Sequence, residues 1–129
     1  IRSHEIHYIG MESGLSDRLT VTENARFVEG YFGGKLGEAL SQLGLHSAQD
    51  RKLGALSSGQ RRRLALLRLL TVPRALWLLD EPFAALDDDG RLIVRTLVDV
   101  HRQRGGMAIV ALHDAENLPR AQTLRLAAR

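Results

Sequence analysis

The feature that most constrains this chain is a short apolar run that ends in two carboxylates. Residues 75–79 read Ala-Leu-Trp-Leu-Leu and are followed directly by Asp80 and Glu81. Such a run is typical of a parallel strand buried on both faces. Ligands of open parallel sheets lie at the carboxyl ends of strands. One carboxylate there can hold Mg²⁺ and the next can activate a water, although both could simply carry the strand into solvent.

Segments of strand and helix character around this run predict an α/β fold. Helices are predicted at about 20–31, 35–43, 60–70 and 87–104, and further strands at 4–9, 107–112 and 122–126. Thr20 and Glu23 have the spacing of a capping box, which starts the first helix. Acidic residues begin the last helix and arginines end it, as the helix dipole favours. The C-terminal half alternates strand and helix, whereas residues 20–70 are nearly all helical.

Composition narrows the classes of function. Hydrophobic residues make up 44% and charged residues 26%, which are ordinary globular values. No apolar run approaches the roughly 18 residues that a membrane-spanning helix needs, so a membrane role requires a partner. The absence of cysteine fits a cytoplasmic protein. The net charge is +3, but there is no basic stripe with interleaved aromatics, so no nucleic acid is expected as a partner.

Two further segments carry groups that could bind an anion. The first, Leu56–Gln60, reads Leu-Ser-Ser-Gly-Gln before a helix, where backbone N–H groups and a hydroxyl can face a phosphate. Its alternative is an ordinary helix N-cap. The second is His113, which follows a strand predicted to lie beside the Asp80 strand. Its imidazole could reach a terminal phosphate, and its alternative is a surface or capping histidine.

The order of these segments resembles the ABC ATPase family over essentially the whole chain. Four segments carry the resemblance: the signature motif at Leu56–Gln60, the Walker B strand at Leu76–Asp80 with the catalytic carboxylate Glu81, the D-loop at Ala84–Asp87 and the switch histidine His113. Ser58 and Ala84 stand where glycine and serine are commoner. The resemblance implies a partial P-loop NTPase core sheet, at about 57–129, with a helical subdomain at about 15–56.

The resemblance also implies a role for each position. Asp80 would position Mg²⁺, Glu81 would polarise the water that attacks ATP, and His113 would contact the terminal phosphate. Asp87 would link two sites across a dimer interface. Four signature residues would bind nucleotide: Ser57, Ser58, Gly59 and Gln60. Of these, Ser57 and Gly59 would contact ATP that is held by a second nucleotide-binding domain in a head-to-tail dimer.

Two departures from the family pattern are visible. No Gly-x-x-x-x-Gly-Lys-Ser/Thr loop (Walker A) occurs. Gly33-Gly34-Lys35 is not such a loop, because Leu36 replaces the hydroxyl residue and a helix precedes it. Since the chain starts at Ile1 close to a strand, we expect that an N-terminal part is missing and that residues 1–129 do not hydrolyse ATP. Second, Glu12 stands where the family has a glutamine; a carboxylate could face Mg²⁺ but cannot donate a hydrogen bond when ionised.

Shorter features resemble one subfamily, the ATP-binding subunit of the bacterial haem exporter of cytochrome c maturation. These features are residues 10–15, 19–24, 60–65 and 76–83, and His101 with Gly105-Gly106. The resemblance implies a peripheral subunit on the cytoplasmic face of the inner membrane, bound to transmembrane transporter subunits. Its ATP hydrolysis would drive haem export or release of a haem chaperone. Residues 15–35 are the expected contact with those subunits, with simple surface packing as the alternative.

Two other functions stay open. A non-catalytic remnant or partner-binding module would keep the dimer surface without hydrolysing ATP. Glu81 and His113 argue against it, and the missing loop argues for it only if the natural chain begins near Ile1. A soluble ABC protein of DNA repair or translation would usually carry two nucleotide domains or long inserted arms, and nothing in the sequence suggests either. Arg61-Arg62-Arg63 is interpreted as a solvated helix start rather than a nucleic-acid patch.

Overall fold

The fold is built on three parallel strands. The computed structural model describes residues 5–10, 14–114, 116 and 118–126. Its sheet has the order β1 (Ile6–Ile9), β2 (Leu76–Asp80), β3 (Met107–Ala111). In this register Leu78 lies between Tyr8 and Ile109. The run that ends in two carboxylates is therefore the central strand, and its carboxyl end lies at the same edge as the ends of its neighbours.

Helices connect the strands. Within the described ranges they are α1 (Val21–Phe32), α2 (Ala39–Gln42), α3 (Ser58–Leu64), α4 (Leu67–Thr71) and α5 (Asp88–Gln103). The predicted capping box starts α1: Thr20 Oγ1 accepts from the Glu23 N–H, and the Glu23 carboxylate accepts from the Thr20 N–H, both at 3.1 Å. Gly33 ends this helix in the left-handed conformation, with φ of 78°. Both ends of α1 are therefore set by local sequence.

Two predicted helices are shorter than expected. The segment 35–43 forms only α2, preceded by a left-handed Gly37. The segment 60–70 is divided into α3 and α4 at Ala65 and Leu66. Leu64, Leu66 and Leu67 are each 1% exposed, and a straight helix with about 100° per residue would spread these three positions over about 160° of its circumference. The break falls among these residues, and all three side chains lie in the core.

The predicted last strand is wrong. Residues 121–126 form no strand, and Leu124 and Leu126 are 84% and 87% exposed. A strand requires a neighbouring ladder for its backbone N–H and C=O groups. In the described part of the chain this segment does not pair with the edge of β3. Apolar residues at alternating positions were therefore not sufficient to place a strand.

One face of the described sheet is open. Trp77 and Leu79 point to the covered face and are 4% and 2% exposed. On the opposite face Tyr8, Met107 and Ile109 are 57%, 60% and 63% exposed. The prediction that the run 75–79 is buried on both faces is correct for only one face of β2, because Leu76 and Leu78 on the other face are half-buried. The sequence does not reveal this, because both faces of each strand carry apolar side chains.

His101, followed by Gly105-Gly106, lies between the amino ends of β2 and β3 and contacts both. The imidazole of His101 stacks on the Trp77 ring at a centroid distance of 3.7 Å. Its Nε2 lies 3.2 Å from the Ala75 carbonyl oxygen and 3.1 Å from that of Met107. A Cβ on Gly106 would lie 2.2 Å from the ring. His101 and Gly106 therefore contribute to packing at the amino ends of the strands, at the opposite end of the sheet from Asp80 and Glu81.

Candidate functional site

The carboxyl end of β2 presents Asp80 and Glu81. Asp80 pairs with Ala111, and Glu81 extends this ladder by donating its N–H to the Ala111 carbonyl at 2.9 Å. The backbone of Glu81 then turns into the left-handed region, with φ of 50°. For a residue with a Cβ this conformation costs about 1–2 kcal/mol. Strain of this kind tends to occur at functional sites, where the surrounding structure enforces it.

The Glu81 side chain meets the end of β3. Its Oε1 accepts the backbone N–H of His113 at 2.5 Å and lies 3.6 Å from Nε2 of the same residue. The carboxylate side chain is 17% exposed, whereas the imidazole is 92% exposed. The structure thus brings the two predicted catalytic residues together, with the carboxylate held in place and the imidazole facing solvent. The following segment is attached to α5 through Glu116, which pairs with Arg91 and Arg95.

Ser57 and Gln60 form the cap of α3. Ser57 Oγ accepts from the Gln60 N–H at 3.1 Å, and Gln60 Oε1 accepts from the Ser57 N–H at 2.9 Å. The ordinary N-cap that was the alternative interpretation is therefore present. It does not exclude anion binding, because a hydroxyl that accepts a hydrogen bond still has its own proton to donate. Ser57 and Ser58 are both exposed.

The signature segment touches the turn after Glu81. A Cβ on Gly59 would lie 3.1 Å from the Ala85 carbonyl oxygen, so glycine permits this close approach. Ala85 is itself left-handed, with φ of 63°. Two residues later Asp87 caps α5 by accepting the Gly90 N–H at 2.8 Å. The predicted D-loop is thus a turn with a strained backbone at Ala85. The cap at Asp87 fixes its end, and the Ala85 carbonyl packs against Gly59 of α3.

Sequence reasoning missed Arg62. This side chain is 8% exposed, and its guanidinium donates to the carbonyl oxygens of Gly10, Asp80 and Glu81 at 2.8, 2.6 and 2.7 Å. Burial lowers its pKa below the ordinary arginine value, while the Asp80 and Glu81 carboxylates act in the opposite direction. The interpretation of a solvated helix start is wrong for Arg62. A run of three arginines carries no signal of which one is buried.

The segment Gly33-Gly34-Lys35 joins α1 to α4. A Cβ on Gly34 would lie 2.2 Å from the Thr71 carbonyl oxygen, and this oxygen accepts the Lys35 N–H at 3.1 Å. These contacts agree with the expectation that the segment is not a phosphate loop. Glu12, the residue predicted at the glutamine position, lies outside the described residues.

The donors at the end of β2 suit one kind of metal site. Among the described residues, no three His, Asp or Glu side chains lie close enough together to hold a metal ion by themselves. Mg²⁺ in phosphate sites instead keeps several waters and binds one or two carboxylates plus the phosphates. The Asp80 carboxylate matches this second pattern, so it fits Mg²⁺ that would arrive with a phosphate ligand.

Comparison with known proteins identifies the family of the chain. The sequence model of the family described as ABC transporter matches residues 1–84. The chain belongs to the ABC transporter family. The matched span includes the signature segment, the Walker B strand and Glu81.

Curated relatives align with most of the length of this chain. It is 43% identical over 122 residues to the cytochrome c biogenesis ATP-binding export protein CcmA of Paracoccus denitrificans, covering 94% of this chain and 58% of the relative. Identity is 41% over 129 residues to the CcmA protein of Xanthomonas oryzae, covering 97% and 60%. ABC transporter I family member 1 of Arabidopsis thaliana is 39% identical over 128 residues, covering 97% and 56%. The chain therefore spans about three fifths of the length of these relatives.

Solved structures confirm the fold. A putative ABC transporter ATP-binding protein from Pyrococcus furiosus superimposes with a TM-score of 0.72 at 23% identity, covering 93% of this chain and 66% of that chain. Another ATP-binding subunit of an ABC transporter gives 0.71 at 19% identity, covering 84% and 48%. No helix in the described ranges is long and apolar enough to cross a membrane.

Proposed function

We propose that this chain is the part of an ABC ATP-binding subunit that carries the signature motif and the catalytic carboxylate. We further propose that ATP hydrolysis by the whole protein drives haem export or release of a haem chaperone in cytochrome c maturation. The similarity to cytochrome c biogenesis ATP-binding export proteins supports the assignment to cytochrome c maturation. The observation that carries the chemistry is the Glu81 carboxylate, held at the end of β2 by its left-handed backbone and the His113 N–H.

The arrangement suits attack by water on a terminal phosphate. One Glu81 oxygen accepts the His113 N–H, and the other would accept a proton from the attacking water and so orient it. The exposed imidazole of His113 would donate to the terminal phosphate. Asp80 would hold Mg²⁺ through water, and the bound metal would neutralise phosphate charge. These assignments give each strand-end side chain a separate task.

A second nucleotide-binding domain would complete the site. The Ser57 hydroxyl is exposed and keeps a proton to donate, and Gly59 follows it at the start of α3. In a head-to-tail dimer these groups, with Ser58 and Gln60, would face nucleotide bound to the partner. Asp87, exposed in the adjacent turn, would connect the two sites. On this proposal, residues 57–129 belong to the core and residues 15–56 to the helical subdomain.

The outer face of α1 is the proposed contact with transmembrane subunits at the cytoplasmic face of the inner membrane. Phe27 and Tyr31 are 64% and 74% exposed, and their rings stack at a centroid distance of 6.1 Å. Exposed aromatic pairs of this kind are common at partner interfaces. Phe27→Ser should reduce co-purification with the membrane subunits, and Arg26→Ser on the same helix should not. Equal recovery of both variants would contradict this assignment.

The haem function is tested in a bacterium that lacks its own gene for this subunit. The intact gene product should restore c-type cytochromes, which are detected by their covalently bound haem. Glu81→Gln should fail to restore them at equal protein level. Glu38→Gln, an exposed carboxylate before α2, is the matched control and should behave as wild type. If Glu81→Gln restored c-type cytochromes, the non-catalytic module would be the better account.

A further inference from the structure

The buried guanidinium of Arg62 connects α3 to the carboxyl ends of β1 and β2. We propose that Arg62 is a positioning residue that couples the signature helix to the backbone of Glu81. The proposal rests on the proposed function in one respect, namely that Glu81 is the carboxylate that acts on water. Arg62 itself would touch neither nucleotide nor water.

The geometry places one guanidinium between two strand ends. Its Nη1 donates to the Gly10 carbonyl after β1, and its Nη2 donates to the carbonyls of Asp80 and Glu81. Successive carbonyls of a regular strand point in opposite directions. Here the carbonyls of Asp80 and Glu81 converge on a single nitrogen, because the left-handed backbone of Glu81 turns the second one round. Arg62 therefore stabilises the conformation that aims the Glu81 side chain at His113.

The charge of Arg62 is part of this arrangement. A guanidinium that is 8% exposed is costly to bury unless charges or hydrogen-bond acceptors compensate it. The three carbonyls provide the acceptors, and the Asp80 and Glu81 carboxylates provide the opposite charge. Its Nε is buried without a partner in the described structure. The position of the group therefore depends on the strand ends, and the strand ends depend on it.

The backbone of Arg62 belongs to α3, the helix that begins in the signature motif. Ser57 caps α3, and Arg62 stands five positions further along the chain. A displacement of α3, caused by contact between the signature residues and a nucleotide, would move the guanidinium. Because the guanidinium holds the Glu81 carbonyl, the same displacement would reach the catalytic carboxylate. Arg62 thus provides a direct mechanical link between nucleotide contact and orientation of the carboxylate.

Arg63 provides a matched control on the same helix. It is half-buried and also donates to carbonyl oxygens, those of Leu43 at 3.0 Å and Gly44 at 3.5 Å. Its Nε is likewise buried without a partner in the described structure. These carbonyls follow α2 and do not belong to the strand ends that Arg62 contacts. Loss of Arg63 therefore tests the effect of removing a helix-anchoring arginine without disturbing Glu81.

The experiment compares Arg62→Met, Arg62→Lys and Arg63→Met in the intact gene product. Arg62→Met should lower kcat by about 10–100-fold, the range found for outer-shell groups that orient the ligands of metal sites. The KM for ATP should stay within about threefold, because the ground-state contacts remain. Arg62→Lys should recover part of kcat, since an ammonium keeps the charge but not the planar fork. Arg63→Met should leave kcat unchanged even where it lowers the unfolding midpoint.

A second readout does not depend on activity. The ¹³C carbonyl resonances of Gly10, Asp80 and Glu81 should shift in Arg62→Met and not in Arg63→Met. The positioning role is refuted if these resonances stay in place, or if kcat falls equally in the two methionine variants. If Arg62→Met does not fold, Arg62→Lys carries the test, and wild-type kcat in that variant with unshifted carbonyls refutes the role. Glu81→Gln separates the two proposals: if it turns over normally, the proposed function fails, whatever the carbonyl resonances of the arginine variants show.

Discussion

Gly34→Ala is expected to lower the free energy of unfolding by about 2–3 kcal/mol, the upper range for overpacking a tight contact. The new Cβ would lie 2.2 Å from the Thr71 carbonyl oxygen and 2.7 Å from Cγ2 of Val72. The oxygen belongs to the backbone and also accepts the Lys35 N–H. Relief of the contact therefore requires α1 and α4 to separate, and this would disturb the packing between them.

Gly33→Ala is the matched comparison at the preceding residue. Gly33 has φ of 78° and no heavy atom within 4 Å of the position of a Cβ. Its substitution should cost about 1–2 kcal/mol from the left-handed backbone alone. Urea unfolding of the intact gene product, followed by circular dichroism, should rank Gly34→Ala below Gly33→Ala in stability. The reverse order would refute the close approach of Gly34 to Thr71.

The same pair tests the function of the Gly33-Gly34-Lys35 segment. Because the segment joins two helices, ATP affinity corrected for the folded fraction should be unchanged in both variants. A loss of ATP affinity at native stability would instead assign a phosphate-binding role to these residues. That outcome would overturn the interpretation of the segment drawn from both its sequence and its contacts.

Three further predictions concern stability and nucleotide binding. His7 is buried and donates from Nε2 to the Val72 carbonyl at 2.7 Å; burial lowers its pKa, so the unfolded chain binds the proton more readily. The free energy of unfolding should therefore fall as the pH drops below about 6.5, by at most about 1.4 kcal/mol per pH unit. Urea titrations at several pH values should show that the free energy of unfolding of His7→Gln falls less steeply with pH than that of the wild type. Ser57→Ala should cost about 1 kcal/mol in the same assay because the α3 cap is lost. Isolated residues 1–129 should show no ATP turnover in a phosphate-release assay, because the sequence has no Walker A loop.

Local signals in the sequence were sufficient for much of the fold. The capping box at Thr20, the glycine stop at Gly33 and the acidic start of α5 are short-range effects, and the structure confirms each of them. The apolar runs that end at Asp80 and near His113 were enough to place two neighbouring parallel strands. These elements succeed because each depends on residues within one or two turns of itself.

The errors come from long-range packing. The break between α3 and α4 falls among the buried residues Leu64, Leu66 and Leu67, and no local signal in the sequence shows it. The open face of the sheet and the unpaired segment 121–126 depend on which strands lie beside β3. Periodicity gives the faces of a strand but not its neighbours. A prediction from one sequence therefore places elements more reliably than it places their partners.

The candidate site divides in the same way. Glu81 and His113 were predicted from the ends of their strands, and the structure brings them into contact. Their proposed catalytic roles remain predictions. Arg62 was assigned to solvent, because a basic residue at the start of a helix is usually exposed. Its burial follows from the meeting of three backbone carbonyls that are 18 to 52 residues away along the chain.

The most direct test of the central claim is ATP hydrolysis by the intact gene product and its Glu81→Gln variant at saturating Mg²⁺ and ATP. Glutamine keeps the size of the side chain and an oxygen that can accept the His113 N–H, but it cannot accept a proton from water. The variant should still bind ATP while its turnover falls by at least about 100-fold, as expected for loss of a general base. Turnover of Glu81→Gln close to the wild-type rate would contradict the assignment of Glu81 as the catalytic carboxylate.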